Sequence, residues 1–465
     1  MTAGSRLPGR GVKQRGGLFP GAGGAKRDFL PGWLVVRFAP ETIRPAAQRG
    51  TTIASLRSAV GRLGENVTGP LDYLTQNVGL MHISPMFADS GARRGLRKLG
   101  SIRTVAGMTA LASVSHSMNE DLEGYAIVRF DPKRNAKQVI QALKASRAVK
   151  YVERVAARWL TATPGVGGAT DPKRNLQWGL RAIKWFSANL PGMLGRKVGI
   201  IDTGIDETHP DLSGLVDAGS YHVGPYAAAD VLGHGTHVAG IVAALNNNDV
   251  GITGVSQTKL EVWKVFPDKP DPTDGEFYVD PEAFQRALGQ ALNAGVSAVN
   301  LSLGGTQRDP TEELLIRRLV ERGVAVVAAM GNEYESRNNP TEYPAAFSGV
   351  IAVGAVDEFM RRARFSNSGG HICIAAPGTS ILSTLPSKPS PYRDETEYAS
   401  WDGTSMATPH VTAAIAMIRE RDPGLDIAGV RARLESTAQK VPAMKGKART
   451  QEYGSGVLDL ETALH

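Results

Sequence analysis

Val198-Gly199-Ile200-Ile201-Asp202-Thr203-Gly204 is the stretch from which the fold is read. Its apolar run has no polar alternation, as a strand covered on both faces requires. Asp202 then emerges at the carboxyl end, and Thr203-Gly204 permits a tight turn. The same pattern recurs downstream. Apolar strands are predicted over 197–201, 260–266, 298–303, 324–330 and 350–356, alternating with helices over 235–246, 281–294, 311–322 and 405–421. That alternation predicts an α/β fold in three layers, a parallel sheet with helices on both faces. Polar groups placed just after such strands gather at the sheet's carboxyl edge, where sites in open α/β sheets form.

Three further segments put polar groups on small-residue turns. His234-Gly235-Thr236-His237-Val238-Ala239-Gly240 sets an imidazole before a small-residue helix. Gly403-Thr404-Ser405-Met406-Ala407-Thr408-Pro409 sets a hydroxyl at a helix start, with Pro409 in the first turn where a missing donor does little harm. Met330-Gly331-Asn332 ends another apolar strand. An acid, an imidazole and a hydroxyl are the parts of a nucleophilic hydrolase. Taken singly, each is an ordinary strand-end turn or helix cap. Two rivals fail on spacing. Asp-Thr-Gly also resembles the aspartic-protease motif, which must occur twice, and it occurs once. His234 and His237 lack the four-residue spacing and intervening glutamate of a zinc-protease helix.

The order Asp, His, Ser, with these flanks and with Asn332 between the last two, resembles the subtilisin-like serine proteases (subtilases, peptidase S8 family). The resemblance covers residues 171–462. It implies that Asp202 orients His234, that His234 is the base for Ser405, and that Asn332 donates to the oxyanion, while His237 is structural. It also implies that Ser302, Leu303 and Gly304 form the edge that pairs with an extended substrate and one wall of the S1 pocket. Ala329, Met330 and Gly331 would form the opposite wall. Glu342, just before Tyr343-Pro344-Ala345, would sit near the pocket floor and favour Arg or Lys at P1. No catalytic cofactor is implied. A structural calcium is, with Asp211, Asn247 and Asp171 as ligands, in a loop one residue longer than the simplest family form. The expected substrates are protein or peptide segments, cut by a monomer.

Upstream, the expected division is a basic tail over 1–27, an α+β domain over 28–160, a linker and processing segment over 161–170, and the peptidase domain over 171–465. Strands at 33–38, 79–83, 125–130 and 149–153, with helices at 53–63 and 135–146, give strand-helix-strand twice, a ferredoxin-like plan. Residues 92–123 read as an insertion. The run 124–157 resembles the inhibitor I9-like propeptide of many subtilases, which implies a self-inhibited zymogen cut within 158–162. Arg158 would suit an acidic S1 site. Charge agrees with docking. Residues 1–165 hold 25 Lys and Arg against 10 Asp and Glu, and the rest holds 28 against 35. A basic domain beside an acidic one attracts it. With no RNA-binding motif or zinc ligand set in the basic half, nucleic acid is not the expected partner.

Cys373 is the one cysteine, so no intramolecular disulfide can form; within Ile372-Cys373-Ile374-Ala375-Ala376 it reads as a buried strand residue. No apolar run is long enough to span a membrane. The first 24 residues have no apolar core of a secretory signal. The resulting expectation is a cytoplasmic protein, with unconventional export as the alternative.

Overall fold

The computed structural model describes residues 29–38, 80–85, 125–145, 149–156, 159–160, 162–164 and 174–465. The expected basic tail, the helix at 53–63, the insertion at 92–123 and Asp171 lie outside the described residues.

The first four strands, β1 (Phe29–Phe38), β2 (Leu80–Pro85), β3 (Tyr125–Phe130) and β4 (Val149–Ala156), form an antiparallel sheet in the order β2-β3-β1-β4. Helix α1 (Ala136–Lys144) joins β3 to β4, and the strand order is that of the ferredoxin-like plan. Asn135 caps the helix by accepting from Lys137 N–H at 3.0 Å. Val139 and Leu143, one turn apart, pack on Leu34, Val36 and Val128. The period-two alternation of β1 sends Val35 to the other face. There it joins Leu30, Ile127 and Val155 against Tyr278 of the larger domain.

Two short strands follow, β5 (Trp159–Leu160) and β6 (Ala162–Pro164). After α2 (Trp178–Ala182) come β7 (Val198–Asp202), β8 (Val216–His222), α3 (His234–Ala243), β9 (Leu260–Lys264), α4 (Pro281–Ala291) and β10 (Ala298–Leu301). Then β11 (Leu303–Gly304), α5 (Pro310–Glu321), β12 (Ala325–Ala329), β13 (Ile351–Val356), β14 (Ile372–Pro377), β15 (Ile381–Thr384) and β16 (Tyr398–Gly403) lead to α6 (Thr404–Arg421), α7 (Ile427–Thr437) and α8 (Leu460–Ala463).

Seven strands pair in parallel in the order β14-β13-β12-β10-β7-β9-β8. On one side of β7 the chain first lays down the edge strand β8 and then inserts β9 beside β7, and on the other side β10, β12, β13 and β14 follow outward, so the switch point lies between β7 and β10. Residues of α3 and α6 join one core layer, and residues of α4 and α5 join the other. In α6 every residue from Thr404 to Ile418 is buried, as befits a helix without a polar face. Cys373 is buried in β14, and burial pushes its thiol up to about 12. One expected strand divides: 298–303 breaks at Ser302, where β10 leaves the main sheet and β11 turns to pair with β5.

Candidate active site

Asp202 ends β7, and its carboxylate is fully buried. Its Oδ1 accepts from Thr203 N–H at 2.7 Å and lies 2.7 Å from Nδ1 of His234. A carboxylate at Nδ1 holds the ring proton there and makes Nε2 the basic nitrogen. His234 opens α3. That helix can begin here because Gly235 lets two backbones meet: a Cβ on it would lie 2.1 Å from the Gly204 carbonyl oxygen. Nε2 of His234 is buried with no hydrogen bond among the described residues.

Ser405 is the second residue of α6, which packs against α3. Its hydroxyl donates to Ser302 O at 2.9 Å, and the Ser302 hydroxyl donates back to Ser405 O at 2.8 Å. These reciprocal bonds draw the chain out of β10 and account for the break in the strand. Asn332 follows β12. Its Oδ1 accepts from Thr404 N–H at 3.0 Å and from the Thr404 hydroxyl at 2.9 Å, and that hydroxyl accepts from Gly331 N–H at 3.2 Å. These two bonds fix which way the Asn332 amide is turned. The start of α6 adds the positive end of a helix dipole.

The peptide groove is filled by the chain itself. β5 runs antiparallel to β11, with Leu160 opposite Leu303 and Trp159 opposite Gly304. β6 runs antiparallel to β16, with Ala162 opposite Gly403, Thr163 opposite Asp402 and Pro164 opposite Trp401. The segment therefore pairs with one edge of the site through β5 and with the other through β6.

The two segments expected to line the S1 pocket can be placed on the fold. Ala329, Met330 and Gly331 lie on and just after β12, across from Ser302–Gly304, and all are buried. Glu342 is wholly buried, and its Oε1 accepts from Asn367 Nδ2 at 2.9 Å. A Cβ on Gly331 would fall 2.2 Å from that oxygen, so the carboxylate abuts the wall, and Gly331 also has φ +99°. Backbone bonds between Tyr343 and Gly305, at 2.8 and 2.9 Å, hold Glu342 beside β11.

The expected calcium ligands do not gather round an empty centre. Oδ2 of Asp211 accepts from Ile252 N–H at 2.7 Å and Tyr398 OH at 3.0 Å, and Oδ1 accepts from Asn248 Nδ2 at 2.9 Å. Oδ1 of Asn247 accepts from the Arg174 guanidinium at 2.8 Å. Hard cations need open oxygen lone pairs. Here donors, one of them cationic, already use them, so these residues do not fit a calcium ion. Among the described residues no group of three His, Cys, Asp or Glu could hold a metal.

Two histidines serve the scaffold. His237 stacks on Trp401 with centroids 4.7 Å apart, and burial lowers its pKa to about 3. Burial likewise lowers His410 to about 4. The sequence reading missed Thr404, which fixes the Asn332 amide, Arg174, which closes the Asn247 loop, and Asp230. An acid four residues before a histidine that starts a helix was a legible capping signal.

Residues 194–456 match the model of the subtilase family, Peptidase_S8, which is more than half of the chain. The alkaline protease of Shouchella clausii is 35% identical over 326 residues, covering 70% of this chain and 76% of that one. Subtilisin Savinase of Lederbergia lenta is 37% identical over 292 residues, covering 62% and 99%. Fervidolysin of Fervidobacterium pennivorans, described as a keratinolytic enzyme related to subtilisin, superposes with a TM-score of 0.63 at 24% identity, covering 95% of this chain and 62% of that one. The last likeness speaks for the fold. The chain belongs to the subtilase family and is a subtilisin-like serine endopeptidase acting on protein substrates.

The expectation of a cytoplasmic protein is corrected by the same relatives, which are extracellular subtilisins. A basic N-terminus and a single buried cysteine fit either compartment, so neither weighs against that placement.

Proposed function

We propose that Asp202, His234 and Ser405 act as the catalytic triad, with Asn332 as oxyanion donor, and that residues 28–160 are the enzyme's own inhibitor. His234 Nε2 takes the Ser405 proton as Oγ attacks the substrate carbonyl. The negative charge on that oxygen is met by the Asn332 NH₂ and the start of α6. The carbonyl reforms, the peptide C–N bond breaks, and the imidazolium passes its proton to the leaving amine. Water then repeats the sequence on the acyl-enzyme. All these groups come from one chain, so a monomer suffices, and the chemistry needs no cofactor.

The observation that supports self-inhibition best is the pairing of β5 with β11 and β6 with β16. Main-chain pairing reads an extended segment of almost any sequence. Its register points to Thr161–Ala162 as the processed bond, inside the expected window but three residues past Arg158. Wild type and Ser405→Ala, expressed side by side and weighed intact, test the reading. Cleavage between 161 and 162 in the wild type alone is expected; an uncut wild type overturns it. Glu342 gives the mature enzyme a preference for Lys or Arg at P1. Self-cleavage escapes that preference because a tethered segment reacts at high effective concentration. A peptide library that shows the same P1 profile for Glu342→Ala as for wild type removes the specificity assignment.

A further inference from the structure

Helix α3 begins with a deficit. Its N-cap is Gly233, at φ +81°, which has no side chain to satisfy the first N–H groups. The missing acceptor is Asp230, a carboxylate only 3% exposed. Its Oδ1 accepts from Gly233 N–H at 2.8 Å and from the Thr203 hydroxyl at 2.8 Å. Its Oδ2 accepts from Thr236 N–H at 2.9 Å and the Thr236 hydroxyl at 2.7 Å. Thr203 Oγ1, in turn, accepts from Gly235 N–H at 2.8 Å.

Two of these residues matter through their neighbours. Thr203 follows Asp202 and gives it a backbone N–H; Gly235 follows His234. One side-chain hydroxyl thus joins the turn that carries the acid to the first turn of the helix that carries the imidazole. The buried carboxylate of Asp230 holds that hydroxyl in its acceptor orientation. Thr236 N–H and Gly233 N–H, on either side of His234, are bound to the same carboxylate.

We infer that Asp230, acting through Thr203, is a positioning residue that sets the Asp202–His234 distance for catalysis. The inference rests on the triad assigned above. Neither residue touches the substrate. Both act on where Nε2 points and on how firmly Asp202 holds Nδ1. A displacement of the ring by a fraction of an ångström lowers turnover without weakening binding along β11.

The test uses the processed enzyme and an extended peptide amide, with active sites counted by burst titration so that misfolded material does not enter kcat. Thr203→Val keeps the shape and removes the hydroxyl; Thr203→Ser restores it. Thr203→Val is expected to lower kcat by about 10- to 100-fold with KM within twofold. The acid limb of kcat/KM should move down, because a loosened Asp202 stabilises the His234 imidazolium less. Thr203→Ser should recover most of the loss. Asp230→Asn should lower kcat at least as far, and Thr203→Val added to it should cost little more, since both lie on one path. Thr203→Val with kcat within twofold of wild type and an unmoved acid limb overturns the inference, even if its melting temperature falls. Ser405→Ala separates the two readings: if it retains turnover, the triad itself fails; if it is inactive while Thr203→Val is normal, only the positioning role fails.

Discussion

The two largest sheets among the described residues are closed in different ways. The seven-stranded sheet is covered on both faces by apolar side chains of helices from its own domain. The four-stranded sheet has its own helix on one face, but its other face ends on Tyr278 of the larger domain. Their junction is also polar. Glu153 of β4 accepts from the Thr311 hydroxyl at 2.7 Å, at the first turn of α5, and from Tyr151 OH. Burial, together with the Asp309 carboxylate, raises Glu153 to about 7. The large sheet is therefore a permanent body. The small one rests on its neighbour through Tyr278 and the protonatable Glu153, the contacts that would loosen first if it is the inhibitory segment proposed above.

The comparison is broken most sharply at Ser405. Ser405→Ala should lower turnover by about 10⁶-fold, the scale subtilisin itself shows, and leave the chain at its full 49.4 kDa on mass analysis. Retained cleavage would mean that β5 and β6 lie in the groove for some other reason. Next in size is Asn332→Leu. Loss of the amide donor should cost about 10²–10³ in kcat, again the figure known from subtilisin, with KM little changed. A rise in KM alone would make Asn332 a binding residue.

The third prediction sharpens the contrast between the sheets. Glu153 has a higher pKa docked than free, so docking takes up a proton. Its contribution to docking is complete below about 4.5 and is lost as pH rises through about 7. Release of the cut inhibitory segment, followed as onset of activity, should be on the order of tenfold faster at pH 8.5 than at pH 5.5. Glu153→Gln, which stays neutral, should flatten that dependence. A dependence of the opposite sign would show that another group governs release.

The smallest effect concerns the loop after α3. With Arg174 on Asn247 and three donors on Asp211, the melting temperature in EDTA and in millimolar calcium should agree within about 2 °C. Titration calorimetry with calcium chloride should give no binding heat. A calcium-dependent rise of many degrees would show that the loop opens to take the ion.

Local pattern carried the permanent body. Strands such as Val198–Asp202 and Ala325–Ala329 are buried on both faces, so their composition alone declares them. The four residues credited with chemistry announce themselves by order and flanks. Strands β8 and β16 were missed because polar residues interrupt them; Asp217 pairs with Lys259 at 3.1 Å and Asp402 accepts from Ser380 N–H at 2.6 Å, partners that lie outside their own strands. The calcium expectation met oxygens already engaged by donors for a related reason. Asp211 and Asn247 have the right atoms, but which donors reach those atoms is settled by residues such as Arg174 and Tyr398, 73 and 187 positions away.

By itself, then, the sequence determined the parallel α/β frame and singled out Asp202, His234, Ser405 and Asn332 as candidates, because burial and turn chemistry are local properties. Only the tertiary structure decided their distances, the carboxylate that braces them and the chain that fills their groove. Those are contacts between residues far apart in sequence, and no local pattern encodes them.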